Sequence, residues 1–298
     1  MKINLFMRNL IYFFPLVIIF HCYSQVPSKT SYDFAYQKGM DICVLKFDST
    51  KNLIIKEGFA PSISPDGMKL AYTKMKDSNN VLLRYIYIYD LETNIDSKLK
   101  IQNESFDGKW SPDNKYITFI TNFNNQPQVG LMKLDNSEFK IITSSNIGAL
   151  SHSWSSDSKY IYITHHFSIH KFDVNGNFID SIDVKKTFGE GYFVSNTTQY
   201  LFSSDNKYIY FVCKINESMK GFDGPVDALF AFDILSKKMI RLSPKGLEVF
   251  KGICDNGDYV FFAGMKENEK TRNIFRVSIN DPNLKLIIKN GWLPSIRK

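Results

Sequence analysis

Histidine is the first residue type in this chain whose placement suggests chemistry. Four of its five histidines, His152, His165, His166 and His170, fall close together. Imidazole nitrogens are common zinc ligands and general acid–base groups, and Glu190 lies nearby as a candidate carboxylate partner. The cluster therefore makes the four histidines candidates for a divalent-metal or acid–base site. His165 and His166 would point to opposite sides of a strand, so chance clustering with aromatic packing stays the alternative.

Aspartate is the second such residue type, and its spacing argues against catalysis. One phrase recurs five times, as ISPDGMKLAYT, WSPDNKYITFI, WSSDSKYIYIT, FSSDNKYIYFV and ICDNGDYVFFA, without a gap inside it. The turn position of the phrase holds Asp66, Asp113, Asp157, Asp205 and Asn256. Pro presets a tight turn, an Asp carboxylate accepts nearby backbone N–H groups, and Gly or Asn takes the left-handed conformation. We therefore interpret these residues as turn formers and not as catalytic or metal-binding groups.

The elements that must position these residues are short strands. Alternating aromatic and β-branched residues follow each turn, as in YIYI from Tyr160 to Ile163, and this composition is typical of strands. Each unit then continues with a third strand such as YIYIYDLET and a shorter fourth such as KLKI. Four strands joined by short links form an antiparallel meander, which is one blade of a β-propeller. A repeat period of about 44–51 residues indicates the same architecture.

The two ends of the chain complement each other. Residues 30–57 supply a second, third and fourth strand with no first strand before them, beginning with FAY at Phe34. The terminal GWLPSIRK (291–298) repeats GFAPSI of the first unit and supplies the missing first strand. We therefore predict an all-β, six-bladed propeller whose sixth blade is split between the termini. Pairing the termini removes the open edge of the ring, so loss of the last residues should be damaging.

The recurring Ser-Pro-Asp-Gly-like phrase, its period and the split blade resemble the TolB-type β-propeller, also called the WD-like repeat family. The resemblance covers roughly residues 30–298. It implies a periplasmic or secreted protein, because TolB itself is periplasmic and binds a peptidoglycan-associated lipoprotein. TolB carries a further α/β domain for which the residues before the first strand are too few. A similar propeller precedes a serine-hydrolase domain in prolyl-oligopeptidase-like enzymes, but no GxSxG stretch occurs in this chain.

The strand directions of a meander place its loops on two faces. The first-to-second and third-to-fourth turns are tight and share one face, the tight-turn face. The second-to-third loops and the links between blades share the other, the long-loop face, and include CKINESMKGFDGPVD and VKKTFGEGYFVSNTT. Long loops on a rigid scaffold usually carry binding sites. The candidate partner-binding residues are therefore the aromatic and acidic residues of these loops, Phe188, Glu190, Tyr192, Phe193, Phe222 and Asp223. The alternative is that the aromatics plug the loops onto the blades.

The N-terminus predicts export. Lys2 and Arg8 precede an apolar run from Leu10 to Phe20, which is shorter than the roughly 20 residues of a spanning helix. We predict a signal peptide at 1–24 and a single propeller domain at 25–298, with lipid modification at Cys22 as the less favoured alternative. The formal charge is +7, but the lysines are scattered, so a solvated surface is favoured over nucleic-acid binding. The other three cysteines form no CxxC and predict neither a disulfide framework nor zinc.

Three classes of function fit these observations. The favoured one is an exported, monomeric, non-catalytic binding propeller that uses its long-loop face to engage a cell-envelope or secreted protein or peptide, without a cofactor. The alternative is a polysaccharide- or peptide-acting lyase or hydrolase with a histidine-based metal site in blade three. The oligogalacturonate lyases, a propeller family with a histidine metal cluster, keep that alternative open. A structural subunit of an envelope assembly is the third class.

Overall fold

The computed structural model describes residues 31–48, 52–78, 80–143, 148–192 and 194–298. These residues form 24 strands in six four-stranded antiparallel sheets, together with one short helix. None of the described helices is long and apolar enough to cross a membrane. The predicted signal peptide (1–24) and Cys22 lie outside the described residues.

The elements follow one another in chain order. They are β1 (Phe34–Lys38), β2 (Asp41–Leu45), β3 (Asn52–Ile55), β4 (Gly58–Ile63), β5 (Lys69–Ser78), β6 (Val81–Asp90), β7 (Ile95–Lys98), β8 (Ser105–Trp110), β9 (Tyr116–Phe123), β10 (Gln126–Lys133), β11 (Phe139–Ile141), β12 (His152–Trp154), β13 (Tyr160–His165), β14 (Ser168–Asp173), β15 (Phe178–Asp183), α1 (Val184–Phe188), β16 (Tyr200–Phe202), β17 (Tyr208–Lys214), β18 (Asp227–Asp233), β19 (Met239–Arg241), β20 (Leu247–Asp255), β21 (Val260–Lys266), β22 (Asn273–Val277), β23 (Lys285–Ile288) and β24 (Trp292–Ile296).

Each sheet is one blade, and the sixth is assembled from both ends of the chain. Blades 1 to 5 take four consecutive strands each, from β4 to β23, and blade 6 has the order β24-β1-β2-β3. Phe34 lies opposite Ile296, and Ala35 lies opposite Ser295, in antiparallel pairing. The predicted six-bladed propeller with a ring closed by β24 against β1 is therefore confirmed.

The hydrophobic core is divided into layers between neighbouring blades. Side chains alternate across each strand, so the two faces of a blade pack on the blades before and after it. Phe34 and Ile296 of blade 6, for example, are buried together with Phe261 and Ile274 of blade 5. Ile120 of blade 2 is buried with Ile161 of blade 3 in the same way. This packing holds the inner strands of the blades side by side around a central channel.

The turn aspartates act as the sequence predicts. In blades 1 to 4 a serine hydroxyl donates to the turn Asp at 2.6–2.7 Å, for the pairs Ser64–Asp66, Ser111–Asp113, Ser155–Asp157 and Ser203–Asp205. The same serine oxygen accepts a backbone N–H five residues on, such as that of Tyr208 for Ser203 at 2.9 Å. Each carboxylate also accepts the backbone N–H two residues on, as Asp205 does from Lys207. The four side chains are fully engaged in shaping the tight-turn face.

The fifth copy of the phrase departs from the expected ungapped alignment. Trp110 pairs with Ile117 in blade 2, whereas Asp255 pairs with Val260 in blade 5. The turn is therefore two residues shorter, and Asp255 occupies the inner-strand position that Trp110 holds in blade 2. The sequence alignment placed Ile253 there. It was wrong at this point because an Asn-Gly turn needs fewer residues than a Ser-Pro-Asp-Asn turn.

Several inner strands bulge where they approach the long-loop face. The register shifts by one extra residue in β4, in β8 and in the β24–β1 pair, and by two extra residues in β20. Left-handed backbone marks each bulge, with φ of 49° at Ala60, 55° at Asp107, 91° at Gly252 and 45° at Leu293. A bulge re-aims neighbouring side chains. All four left-handed residues line the channel.

Candidate binding site

The inner strands of the six blades enclose a channel with a volume of about 300 Å³. Every inner strand contributes to its wall. Ala60, Asp107, Leu150, Lys251 and Leu293 lie toward the long-loop face, because the inner strands run from that face to the tight turns. Cys254 and Lys298 line the opposite end. Such a concave site with a few polar groups on a rigid scaffold is a candidate for ligand binding.

The channel wall is stiffened by a contact at each junction between blades. From blade to blade, the Ile63 N–H donates to Ser295 Oγ (2.8 Å), Trp110 Nε1 donates to the Ser62 carbonyl (2.8 Å), Lys109 Nζ donates to the His152 carbonyl (2.8 Å), Ser153 Oγ donates to the Tyr200 carbonyl (2.5 Å), the Ile253 N–H donates to Gln199 Oε1 (3.4 Å), and Lys298 Nζ pairs with Asp255 Oδ1 (3.1 Å). The ring is therefore closed by polar contacts as well as by core packing.

Asp107 and Lys109 form the polar centre of the blade 2–blade 3 side of the channel. Lys109 Nζ lies 3.3 Å from Asp107 Oδ2. Burial is the largest single influence on Asp107 and opposes its ionisation, but the charge and hydrogen bond of Lys109 together with nearby His152 outweigh it and hold the pKa of that carboxyl below its ordinary value. Asp107 therefore stays a carboxylate and neutralises Lys109, so this side of the channel carries little net charge.

Lys251 and Arg272 carry the charge at the other side of the mouth. Lys251 Nζ approaches the hydroxyls of Ser195 (3.2 Å) and Thr197, and no carboxylate of the described residues lies within 4.0 Å of it. The Arg272 guanidinium lies over Phe250 at 4.2 Å and over Trp292 at 5.1 Å from the ring centres. These cation–π contacts hold the arginine at the junction of blades 5 and 6.

The structure brings three of the four blade-three histidines together and leaves the fourth apart. His165 lies 4.2 Å from His166 and 5.4 Å from His170, measured between ring centres, at the β13–β14 turn. His152 lies on the inner strand, separated from His170 by the strand that carries Ile163. In the described part of the chain, no three His, Cys, Asp or Glu side chains gather as a metal site would require. The metal site stays a prediction.

His152 is a buried residue of the blade 2–blade 3 interface. It is 1% exposed, and its Nδ1 lies 4.0 Å from Asp107 Oδ2. Neither ring nitrogen has a hydrogen-bond partner among the described residues. Burial is the main cause that lowers the pKa of His152 to about 3, so the ring is neutral at physiological pH.

The predicted loop residues fall into buried and exposed sets. Phe188, at the end of α1, is only 6% exposed and packs on Tyr200 and Phe211, with ring centres 6.0 and 4.7 Å away. Its predicted partner-binding role is therefore corrected to a core role, because the ring anchors the blade 3–blade 4 link to the sheet. Phe193 lies outside the described residues.

The remaining predicted loop residues stay at the surface. Glu190 and Asp223 are exposed, whereas Tyr192 and Phe222 are half-buried against blade 4. Glu190 and Tyr192 line a groove together with Glu217 and Arg241, which form an ion pair at 2.5 Å. The structure thus brings Glu190 and Tyr192 into one groove.

The sequence analysis missed the channel residues. Asp107, Lys109 and Lys251 come from different blades and share no motif, so no local pattern joins them. The aromatic residues beside the channel do leave a signal, because Phe59, Phe106 and Trp292 each precede a left-handed residue of a bulge. Comparing the inner strands at this position would have pointed to the mouth.

Comparisons with known proteins agree with the fold. No family model matches the sequence, and no curated protein matches it. Among solved structures, TolB from Acinetobacter baumannii is similar with a TM-score of 0.54 and 16% identity over 89% of this chain and 66% of that one. The chain thus spans just under two thirds of that protein. A TolB-type protein from Agrobacterium tumefaciens has a TM-score of 0.60 and 13% identity over 89% and 92% of the two chains.

A puromycin hydrolase is also similar, with a TM-score of 0.56 and 8% identity over 85% of this chain and 42% of that one. Identities at this level establish the fold alone. The predicted TolB-like propeller is therefore confirmed as a fold, and neither the solved structures nor the sequence comparisons fix an activity.

Proposed function

We propose that this protein is a non-catalytic binding propeller that engages a protein or peptide partner through its long-loop face. The observation that carries the proposal is the β5–β6 hairpin of blade 1. Its two strands have ten residues each and pair along their whole length, from Lys69 opposite Asp90 to Ser78 opposite Val81. The corresponding strands of blade 3 have six residues each. At about 3.3 Å per residue, the hairpin extends roughly 13 Å beyond the blade 3 turn.

The projecting end of this hairpin is apolar as well as charged. Leu82 is 65% exposed and Val81 is 55% exposed, and Met75 on the facing strand is also exposed. Burial of such a side chain stabilises a complex by about 1.5–3 kcal/mol. A group of solvent-exposed apolar side chains on a projecting hairpin is typical of a surface that a protein partner covers.

Three further exposed apolar residues share the long-loop face, the first of which is Met40 in the β1–β2 turn. Leu150 lies at the channel mouth, and Phe167 lies in the β13–β14 turn. The tight-turn face also exposes Phe47 and Leu235, each isolated at a third-to-fourth turn. The proposal therefore rests on the projecting hairpin and the mouth, not on the number of exposed apolar residues.

A pair of matched variants tests the proposal. Leu82→Ser removes the exposed apolar group of the hairpin, and Leu235→Ser makes the same change on the tight-turn face. Partner capture from envelope extract by the purified protein should fall in Leu82→Ser and stay unchanged in Leu235→Ser, with both variants as stable as the parent. Equal capture by both variants would remove the long-loop face as the working surface.

We also propose that the protein is exported and acts as a monomer in the periplasm or outside the cell, following the apolar N-terminal segment. The N-terminal sequence of the protein isolated from its own cells tests this, because cleavage by signal peptidase should leave Gln25 first.

A histidine-based enzyme is the competing proposal. Zinc, manganese or iron bound in stoichiometric amounts, and lost in a His165→Ala/His170→Ala variant, would favour it.

A further inference from the structure

The junction of blades 5 and 6 on the long-loop face holds an arginine with no acidic partner. Three of the five described arginines pair with a carboxylate, as Arg84 does with Glu104 at 2.7 Å and Arg297 with Asp33 at 2.8 Å. Arg272 is exposed, and none of the described carboxylates lies within 4.0 Å of its guanidinium. Its face is covered by Phe250 and Trp292 instead.

Lys251 adds a second cation on blade 5, on the side that faces blade 4. It follows Phe250 in the bulge of β20, where two extra residues push the strand outward before Gly252. A Cβ on Gly252 would lie 2.7 Å from Leu293 Cδ2, so this bulge touches the residue next to Trp292. Lys251 Nζ reaches Ser195 and Thr197 on the blade 4 side, whereas Arg272 lies over Phe250 and Trp292 on the blade 6 side, so the two cations stand on either side of the β20 bulge.

The acidic residues around the two cations are occupied elsewhere. Glu269 accepts hydrogen bonds from the Lys266 N–H and from Asn273 Nδ2, and Glu267 accepts one from the Lys220 N–H. The charge of Lys251 acts to lower the pKa of the Asp227 carboxyl, but Asp227 is half-buried, and burial outweighs this and raises the pKa. The segment 266–272 carries Lys266, Lys270 and Arg272 against Glu267 and Glu269, so its formal net charge is +1 (three minus two).

We infer that this junction is a docking site for an acidic peptide segment, in which Arg272 and Lys251 bind side-chain carboxylates while the rings of Phe250 and Trp292 contact the peptide. Guanidinium groups bind carboxylates in a fixed two-bond geometry, and an arginine already held by aromatic rings loses little freedom when it does so. The inference rests on the proposed function, because it names the chemistry of a partner at the long-loop face.

Trp292 supplies a direct readout. The other two tryptophans, Trp110 and Trp154, are buried, and their indole N–H groups donate to the Ser62 and Lys109 carbonyls. Trp292 is half-buried beside Arg272. A peptide that reaches the junction should therefore change the fluorescence of Trp292 and of neither other tryptophan, and Trp292→Phe should abolish the change.

The test uses a synthetic peptide of alternating Glu and Ala residues and a second in which Gln replaces every Glu. The parent protein should bind the acidic peptide about tenfold more tightly than the amide peptide, with affinity falling as salt is added. Arg272→Ala/Lys251→Ala should lose about tenfold in affinity, and Arg272→Lys should lose less. Lys207→Ala, on the tight-turn face, should bind like the parent.

Several results would overturn the inference. The first is equal binding of the two peptides, and the second is unchanged binding by the double variant. The third is binding to phosphatidylglycerol vesicles, but not to the peptide, that depends on Arg272 and Lys251. If these occur while Leu82→Ser still lowers partner capture, the docking chemistry is wrong and the proposed function stands. If Leu82→Ser leaves capture unchanged, the proposed function itself fails.

Discussion

The Ser295 hydroxyl accepts a hydrogen bond of 2.8 Å from the backbone N–H of Ile63. Ser295 belongs to the last strand of the chain and Ile63 to the inner strand of blade 1, so this contact joins the C-terminal strand to the blade that follows it in the ring. Both residues are buried, so the N–H would lose its partner without the hydroxyl. The C-terminal strand is thus tied to two blades at once, because β24 also pairs with β1.

Removal of residues 291–298 should therefore destroy the cooperative fold. The deletion exposes the edge of β1, uncovers the Phe34–Phe261 contact and leaves the Ile63 N–H without its acceptor. We expect a loss above about 4 kcal/mol, a large part of the stability of a typical domain. Chemical denaturation followed by circular dichroism measures it.

Arg297→Ala is the matched control for this deletion. It removes an ion pair with Asp33 at 2.8 Å near the surface but keeps β24. The expected loss is about 0–1 kcal/mol. A truncated protein that unfolds with the same midpoint as the Arg297→Ala variant would show that the ring does not need its closing strand.

Gly130→Ala should destabilise the interior of blade 2. A Cβ at this position would lie 2.5 Å from Cε2 of the fully buried Phe119. We expect a loss of about 1–3 kcal/mol, because the ring must leave its rotamer or the strands must separate. Gly148→Ala has no atom of the described residues within 4 Å of the new methyl group and should change stability by less than about 0.5 kcal/mol. Equal thermal midpoints of the two variants would contradict this packing.

Glu248 should make the protein less stable as pH rises. It is 7% exposed, and its Oε2 accepts the Asp227 N–H at 2.8 Å. Burial is the main cause that raises its pKa from 4.5 to about 7, with the nearby Asp227 carboxylate acting in the same direction. The folded state therefore holds a proton that the unfolded state releases, and this stabilisation is lost as pH rises from 4.5 through 7.

Glu248→Gln keeps the acceptor and removes the charge. When the pH is raised from 5 to 8.5, the free energy of unfolding of the parent should fall by about 2 kcal/mol more than that of Glu248→Gln. Glu190→Gln, at an exposed position, should follow the parent. Denaturation curves at several pH values measure the difference, and parallel pH profiles of parent and Glu248→Gln would exclude a buried, protonated Glu248.

His152 should act in the opposite direction. The folded state keeps the ring neutral, since burial lowers its pKa to about 3, whereas the unfolded chain binds a proton near pH 6.5. Its contribution to stability is therefore present above pH 6.5 and lost as pH falls toward 3. When the pH is lowered from 7 to 4.5, the free energy of unfolding of His152→Leu should fall by about 2 kcal/mol less than that of the parent.

His166→Asn is the control for the histidine series. His166 is exposed in a turn with φ of 49°, a conformation that Asn also tolerates. Its pH profile should match that of the parent. If His152→Leu and the parent lose equal stability in acid, His152 is not held neutral in the fold.

The blade count and the split blade could be predicted because they depend on local patterns that repeat. A Ser-Pro-Asp turn followed by alternating apolar residues specifies a hairpin wherever it occurs, as at Asp113. The length of the β5–β6 hairpin could not be predicted, since Lys74–Arg84 is polar enough to resemble a loop. For Phe188 the sequence left a partner-binding role and a buried role open, because an aromatic residue in a long link has the same pattern whether it faces water or a blade.

The candidate binding surface depends on contacts that no single segment contains. Arg272 of the β21–β22 loop comes to lie over Phe250 and Trp292, which belong to two other strands. The pairing of charges likewise required the structure, since Lys109 is neutralised by Asp107 whereas Lys251 has no such partner among the described residues. Sequence patterns specify which residues form strands, and the ring decides which of them become neighbours.

The stitched sixth blade also sets the timing of maturation. Since β24 is synthesised after all the other strands described, a nascent chain that has not reached Trp292–Ile296 holds β1 without its partner strand. A chain that stops before β24 cannot close its ring, and the unpaired edge of β1 is then open to pairing with other chains.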